Sequence, residues 1–250
     1  MDLGIQGRVA LVLGASAGIG RGVAEALARE GARVALASRS EERLVEAAGG
    51  IDGETAIFVA DTDDLERMAE LPAEVTGRLG SIEILVLNTG GPPLGLALDH
   101  STEEWLTAYR SLVLAPRVLI EGCLPAMRES GWGRIVNVAS SSIREPIPGL
   151  ALSNANRMAA LGLLNTLARE VAGDGITVNT IATGRFGTDR LASNYGSLEE
   201  AERSAHDDVP AARLGTPEEY GDLVAFVSSR RAAYLTGAVI PLDGGLTRSS

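Results

Sequence analysis

The side chains best suited to chemistry lie close together in the chain. Ser140 is followed thirteen residues later by Ser153, and one helical turn beyond that by Arg157. Hydroxyl groups can hydrogen-bond a carbonyl or alkoxide oxygen, but an aliphatic hydroxyl is a poor acid or base near neutral pH. A guanidinium stays charged, so Arg157 can hold an anion or stabilise charge growing on oxygen but cannot shuttle a proton. The stretches "SSSIREP" and "SNANR" add Ser142, Arg144 and Asn154 to this polar group. Arg144 reads equally well as a loop residue, and Asn154 as a helix N-cap. Two phenols, Tyr109 and Tyr195, could also reach the site, although core or lid packing accounts for each.

A second constellation opens the chain. In "LVLGASAGIGRG" a strand runs into Gly14, Gly18 and Gly20, with Ser16 and Ile19 between them, and a helix follows. Glycines in a strand-turn-helix context let a pyrophosphate approach free amides at the positive end of the helix. The end of the next strand selects the nucleotide, because an acid there binds the ribose 2′-hydroxyl and repels a 2′-phosphate. This chain has Ser38, Arg39 and Ser40 and no acid at that point. NADP(H) is therefore preferred, with NAD(H) possible. The alternative for Arg39 is an exposed residue opening the next helix.

These residues need a scaffold. Short runs rich in Val, Ile and Ala ("RVALVLG", "RVALAS", "TAIFVA", "IEILVLN", "GRIVNVAS", "GITVNTIA", "GAVIPLDGG") alternate with longer stretches of helical period. That pattern predicts an α/β protein with a Rossmann-type, doubly wound parallel sheet in a three-layer α/β/α sandwich. One dinucleotide-binding domain is expected over 1–250, with a polar substrate-side insertion, or lid, at 185–212. Helices at 103–129 and about 154–171 are apolar or small on more than one face, which predicts a homo-oligomer, tetramer or dimer, or a thick monomer core.

Composition narrows the partners. Asp+Glu 33 against Lys+Arg 22 gives a net charge of −11, and without a basic patch nucleic acid is not expected. No apolar run reaches the ~18 residues of a membrane span. His100 and His206 have no partner at ligand spacing, and lone Cys123 lies in an apolar helical pattern, so no metal site and no disulfide are expected. The acid at position 2, followed by a strand, fits neither a signal nor a transit peptide, and a cytoplasmic location follows as an expectation.

Six segments in order resemble the short-chain dehydrogenase/reductase family over nearly the whole chain. "LGASAGIG" is similar to its glycine motif, "ADTDD" to its Asp-Val/Leu pair over adenine (here Asp61 and Thr62), and "LVLNTGG" to the segment after the fourth strand (Asn88, Gly90). "GRIVNVASS" resembles the strand carrying the catalytic serine, here Ser140. "ITVNTIATGRFGT" resembles the Pro-Gly segment with Thr183 in place of Pro and Gly184 retained, and "YLTGAVIPLDGG" the last strand. The resemblance implies hydride transfer at a carbon bearing oxygen, with a Tyr moving the proton, a Lys holding the ribose and an Asn fixing a water. Those positions fall on Ser153, Arg157 and Leu112. The implied function is an NADP(H)-dependent oxidoreductase of a small-molecule carbonyl or alcohol, most like 3-oxoacyl-(acyl carrier protein) reductases, with an altered proton route in which Ser140, Ser153 and Arg157 act. The alternative is a nucleotide-binding pseudoenzyme, a sensor or supporting subunit with little turnover.

Overall fold

The computed structural model describes residues 1–248. Seven parallel strands form one sheet: β1 (Val9–Leu13), β2 (Arg33–Ser38), β3 (Thr55–Val59), β4 (Ile82–Leu87), β5 (Gly133–Val138), β6 (Ile176–Thr183) and β7 (Val239–Leu242), in the order β3-β2-β1-β4-β5-β6-β7. The doubly wound α/β architecture expected from the strand pattern is the one observed. The chain winds outward from β1 to β3, then returns to place β4 on the other side of β1. That reversal opens a crevice beyond the carboxyl ends of β1 and β4.

The strands are apolar at nearly every position because both sheet faces are covered. Val9, Leu11 and Leu13 of β1 pack beneath α3 (Leu65–Leu79), α5 (Ala115–Ser130) and α6 (Ala151–Val171). The alternating Ala10 and Val12 pack against α1 (Gly18–Arg29), α2 (Glu41–Gly49) and α9 (Pro217–Val227). α1 and α9 meet backbone to backbone, since a Cβ on Gly22 would overlap the Pro217 carbonyl and one on Gly221 the Gly22 carbonyl. Among the described residues no helix is long and apolar enough to cross a membrane.

Two helices depart from the sequence expectation. The stretch read as one helix at 103–129 is α4 (Thr102–Tyr109), a π-helical turn (Arg110–Leu114) and then α5. Its outer face is apolar only on α4, where Leu106 and Tyr109 are exposed, while α5 turns the Arg117–Glu121 pair outward. α6 starts at Ala151 with Leu150 as its N-cap residue, so Asn154 is not a cap; it sits inside the helix and ties its amide to the backbone of Ile147. The exposed face of α6 carries Ala155, Met158, Ala159 and Gly162. In 185–212 the chain forms α7 (Asp189–Tyr195) and α8 (Leu198–Asp208), whose Ala201 and Ala205 join a separate small cluster with Val209 and Leu214.

Candidate active site

A cleft of about 1380 Å³ runs along the carboxyl ends of the strands. It is lined by Gly14, Gly18, Ile19, Ser38, Arg39, Asp61, Thr62, Asn88, Gly90, Ser140, Ser153, Arg157 and Gly184, so the two constellations read from the sequence share one space. Ser16 and Gly20 stand just behind its wall. Ser16 bonds Ser38 hydroxyl to hydroxyl at 2.9 Å, and a Cβ on Gly20 would overlap the Gly14 carbonyl and lie 2.6 Å from Asn88 Nδ2. Gly14 and Gly18 have φ of +60° and +54°, the left-handed region that glycine adopts without strain.

The fit to a dinucleotide is visible in which donors are spent. α1 opens at Ala17 with no side-chain cap, whereas α2, α3 and α9 are capped by Ser40, Asp64 and Thr216. The first amides of α1 are thus left for a diphosphate. At the far end Arg39 is exposed beside the cleft. Of the flanking hydroxyls, Ser38 bonds Ser16, and Ser40 accepts the amide of Arg43 and keeps its own hydrogen. Arg21 and Arg43 line the same end and were not singled out from the sequence. Asp61 receives the amide of Asp63 at 3.1 Å, which fixes its carboxylate in a turn. Gly184 lies where a Cβ would come 2.5 Å from the Cα of Asp243, so the chain crosses there at backbone contact.

At the other end Arg157 joins three elements. Its Nε donates to Ser153 Oγ at 3.1 Å, Nη1 to the Val138 carbonyl at 3.0 Å and Nη2 to the Gly90 carbonyl at 3.3 Å. The end of β5, the loop after β4 and α6 are thereby held together. Burial pushes the guanidinium down to about 10, Tyr220 works in the opposite sense and Arg190 adds to the lowering; Arg157 is a cation at neutral pH. Ser140 Oγ accepts the Ser142 amide at 3.1 Å, capping a short 3-10 turn (Ser141–Ile143). Ser140 and Ser153 thus each receive an N–H and retain their own hydrogens for donation into the cleft.

Other sequence candidates fall elsewhere. Leu112 is buried with Val113, Ala160 and Leu163 and offers no polar group, while Ser111 and Thr107 reach the cleft. Tyr109 is exposed on the outside of α4, Tyr195 lines the cleft beneath Arg185, and Ser142 and Asn154 lie outside it. Two pairings had no signal in the sequence. Thr183, at the cleft, shares a 2.8 Å hydroxyl contact with fully buried Tyr220, whose phenol burial pushes well above its usual range. Arg190 of α7 donates to the Pro92 carbonyl at 3.0 Å.

The chain resembles known reductases over nearly its whole length. A family profile described as enoyl-(acyl carrier protein) reductase matches residues 14–247. The chain is 34% identical over 248 residues to a 3-oxoacyl-[acyl-carrier-protein] reductase of Vibrio cholerae, covering 98% of this chain and 99% of that one. It is 33% identical over 245 residues to the human dehydrogenase/reductase SDR family member 4, covering 95% and 87%. L-sorbose reductase from Gluconobacter frateurii, solved with NADPH and L-sorbose, superposes with a TM-score of 0.95 at 31% identity over 100% of both chains.

Proposed function

The chain belongs to the short-chain dehydrogenase/reductase family, and from that premise we propose that it is an NADP(H)-dependent oxidoreductase of a small-molecule carbonyl or alcohol, working without a side-chain proton donor. The carrying observation is the continuity of one cleft from Arg39 and the glycine turn to Ser140, Ser153 and Arg157. NADP(H) is the cofactor, consistent with an acid-free β2 end and with the NADPH-bound structural neighbour. The α1 amides would hold the diphosphate, Arg39 the 2′-phosphate, and Asp61 and Thr62 the base.

Bound NADPH supplies a hydride to the carbonyl carbon. Ser140 and Ser153 donate their free hydrogens to the carbonyl oxygen, and Arg157, through Ser153, adds positive charge where the alkoxide grows. Water entering the cleft then protonates that oxygen, since Tyr195, the phenol lining the cleft, lies under the Arg185 guanidinium and the Tyr220 hydroxyl is bonded to Thr183. The segment 185–212 acts as the lid over this end. The exposed small and apolar residues of α4 and α6 form the surface on which copies associate, which sedimentation at micromolar concentration tests.

The decisive experiment measures NADPH oxidation against ketoses, simple ketones and 3-oxoacyl thioesters beside an NADPH binding titration. Turnover on any of them supports an oxidoreductase. Binding with no turnover across the panel favours the pseudoenzyme reading, which the commitment of Ser153 to Arg157 also fits.

A further inference from the structure

Among the described residues, three of the cations that line the cleft have a carboxylate partner, and three do not. Of the cations lining the cleft, Arg21 pairs with Glu25, Arg43 stands 3.7 Å from Asp189 and Arg185 binds Asp208 at 2.9 Å. Arg39 is assigned to the 2′-phosphate. Arg157 and Arg190 remain, and among the described residues neither has a carboxylate within 4.0 Å. Both guanidinium groups converge on one turn, Arg157 on the Gly90 carbonyl and Arg190 on the Pro92 carbonyl. Arg157 has three of its five N–H groups engaged and Arg190 one, so each keeps at least two for a ligand. Their mutual repulsion contributes to the depressed basicity of Arg157. Of the acids lining this end of the cleft, Glu104 closes the capping box with Ser101, Glu145 receives the Arg248 amide, and Glu103 makes no ion pair with either guanidinium. Two like charges held together in a chain of net charge −11 point to an anion that arrives with the ligand.

Resting on the oxidoreductase reading, we propose that Arg157 and Arg190 form a carboxylate subsite and that the substrate is a free oxo acid. Its carboxylate lies between the two guanidinium groups, with its carbonyl oxygen at Ser140 and Ser153. The reaction is oxo acid plus NADPH plus H⁺ giving hydroxy acid plus NADP⁺. Hydride adds to the carbonyl carbon, the C=O π pair moves to oxygen and water supplies the proton. A neutral ketose or a thioester would leave both cations without a counter-charge.

The test uses the full-length protein loaded with NADP⁺, titrated calorimetrically with acetoacetate and levulinate and with the methyl ester of each. At least one acid should bind about tenfold more tightly than its ester. Arg190 is exposed, so its variants fold; Arg190→Gln should reduce that preference to about threefold or less, and Arg190→Lys should retain most of it. Equal binding of acid and ester, or no acid binding at millimolar concentration, overturns the subsite. So does an Arg190→Gln variant that loses NADP⁺ affinity by the same factor as acid affinity, because Arg190 then serves the cofactor diphosphate. Acid binding without NADPH oxidation leaves the subsite standing and removes the oxidoreductase reading. Oxidation of NADPH with esters as readily as with acids does the reverse.

Discussion

The two ends of the cleft are built from different materials. The nucleotide end rests on backbone: two glycines at positive φ, a third packed against Asn88, and a helix start without a side-chain cap. The other end rests on side chains, with Arg157 reaching three partners and two serines aimed by N–H groups that they accept. Backbone amides are present whatever residue occupies the position, so a site made of them survives changes that would erase a catalytic phenol. A chain can therefore keep its grip on a nucleotide while the chemistry beside it is rebuilt around a permanent cation.

The largest effect should come from disturbing the backbone end. Gly20→Ala forces a Cβ into the Gly14 carbonyl and within 2.6 Å of Asn88 Nδ2, so the turn must open. We expect a loss of ~1–3 kcal/mol in denaturant unfolding and about 100-fold weaker NADPH binding by fluorescence titration, equivalent to ~2.7 kcal/mol. Gly77→Ala in α3, away from the cleft, is the control: nothing lies within 4 Å of its Cβ position, and stability should rise by about 1 kcal/mol or less with NADPH affinity unchanged. Equal loss in both variants would mean that packing around the glycine turn does not set nucleotide affinity.

Arg157 is the matching test at the other end. Arg157→Leu removes three donors and leaves the Val138 and Gly90 carbonyls and Ser153 without them. It should cost ~2–3 kcal/mol of stability and lower kcat/KM about 100-fold. Ser153→Ala removes one acceptor, leaves Arg157 anchored on two carbonyls and should cost ~1 kcal/mol or less. If Ser153→Ala is the more damaging to stability, Arg157 does not hold the site together.

How far the residues could be read before the fold follows the same division. The seven strands and the glycine turn were legible because each is encoded locally, in apolar runs buried on both faces and in residues that permit one backbone turn. Asp61, Asn88 and Ser140 were placed through ordered motifs, and they meet at the cleft. The π-helical turn was not read, although Pro116, which has no N–H for the carbonyl of Leu112 four residues earlier, lies just past it; the turn also accompanies the packing of Leu112 against α6. Asn154 looked like a cap because its type suits one, yet the helix starts earlier, at a Leu150 that offers no polar side chain. Thr183 and Tyr220 are separated by 37 positions, and their contact exists only once β6 and α9 are packed. Arg190 lies in the segment without a recognisable pattern and acquires meaning only from the carbonyl of Pro92.

A smaller effect should sharpen the assignment of the nucleotide end. Arg39 is exposed and, unlike Arg21 and Arg43, has no carboxylate within 4.0 Å among the described residues. Arg39→Ala should weaken NADPH about tenfold, ~1.4 kcal/mol, and leave NADH affinity unchanged. If the preference for the phosphorylated cofactor persists, the neighbouring Arg21 and Arg43 carry it.

The smallest expected effect is an absence of pH dependence where a phenol-based site would show it. A Tyr whose pKa is drawn towards neutrality bends kcat/KM as it ionises. Here Arg157 is lowered by burial only to about 10, and serine hydroxyls do not titrate near neutrality. The buried phenol of Tyr220 is pushed the other way, out of that range. The profile of kcat/KM should therefore be flat from about pH 6 to about pH 9. Stability follows the same sign: burial holds the folded guanidinium of Arg157 at about 10, below its usual value, and so disfavours the charged form. The penalty is present in full at neutral pH and is relieved only as pH rises above about 10, which adds no slope near neutrality. A bell-shaped profile centred near neutral pH would show that an ionising side chain does move the proton, and the two ends of the cleft would then differ less than their materials imply.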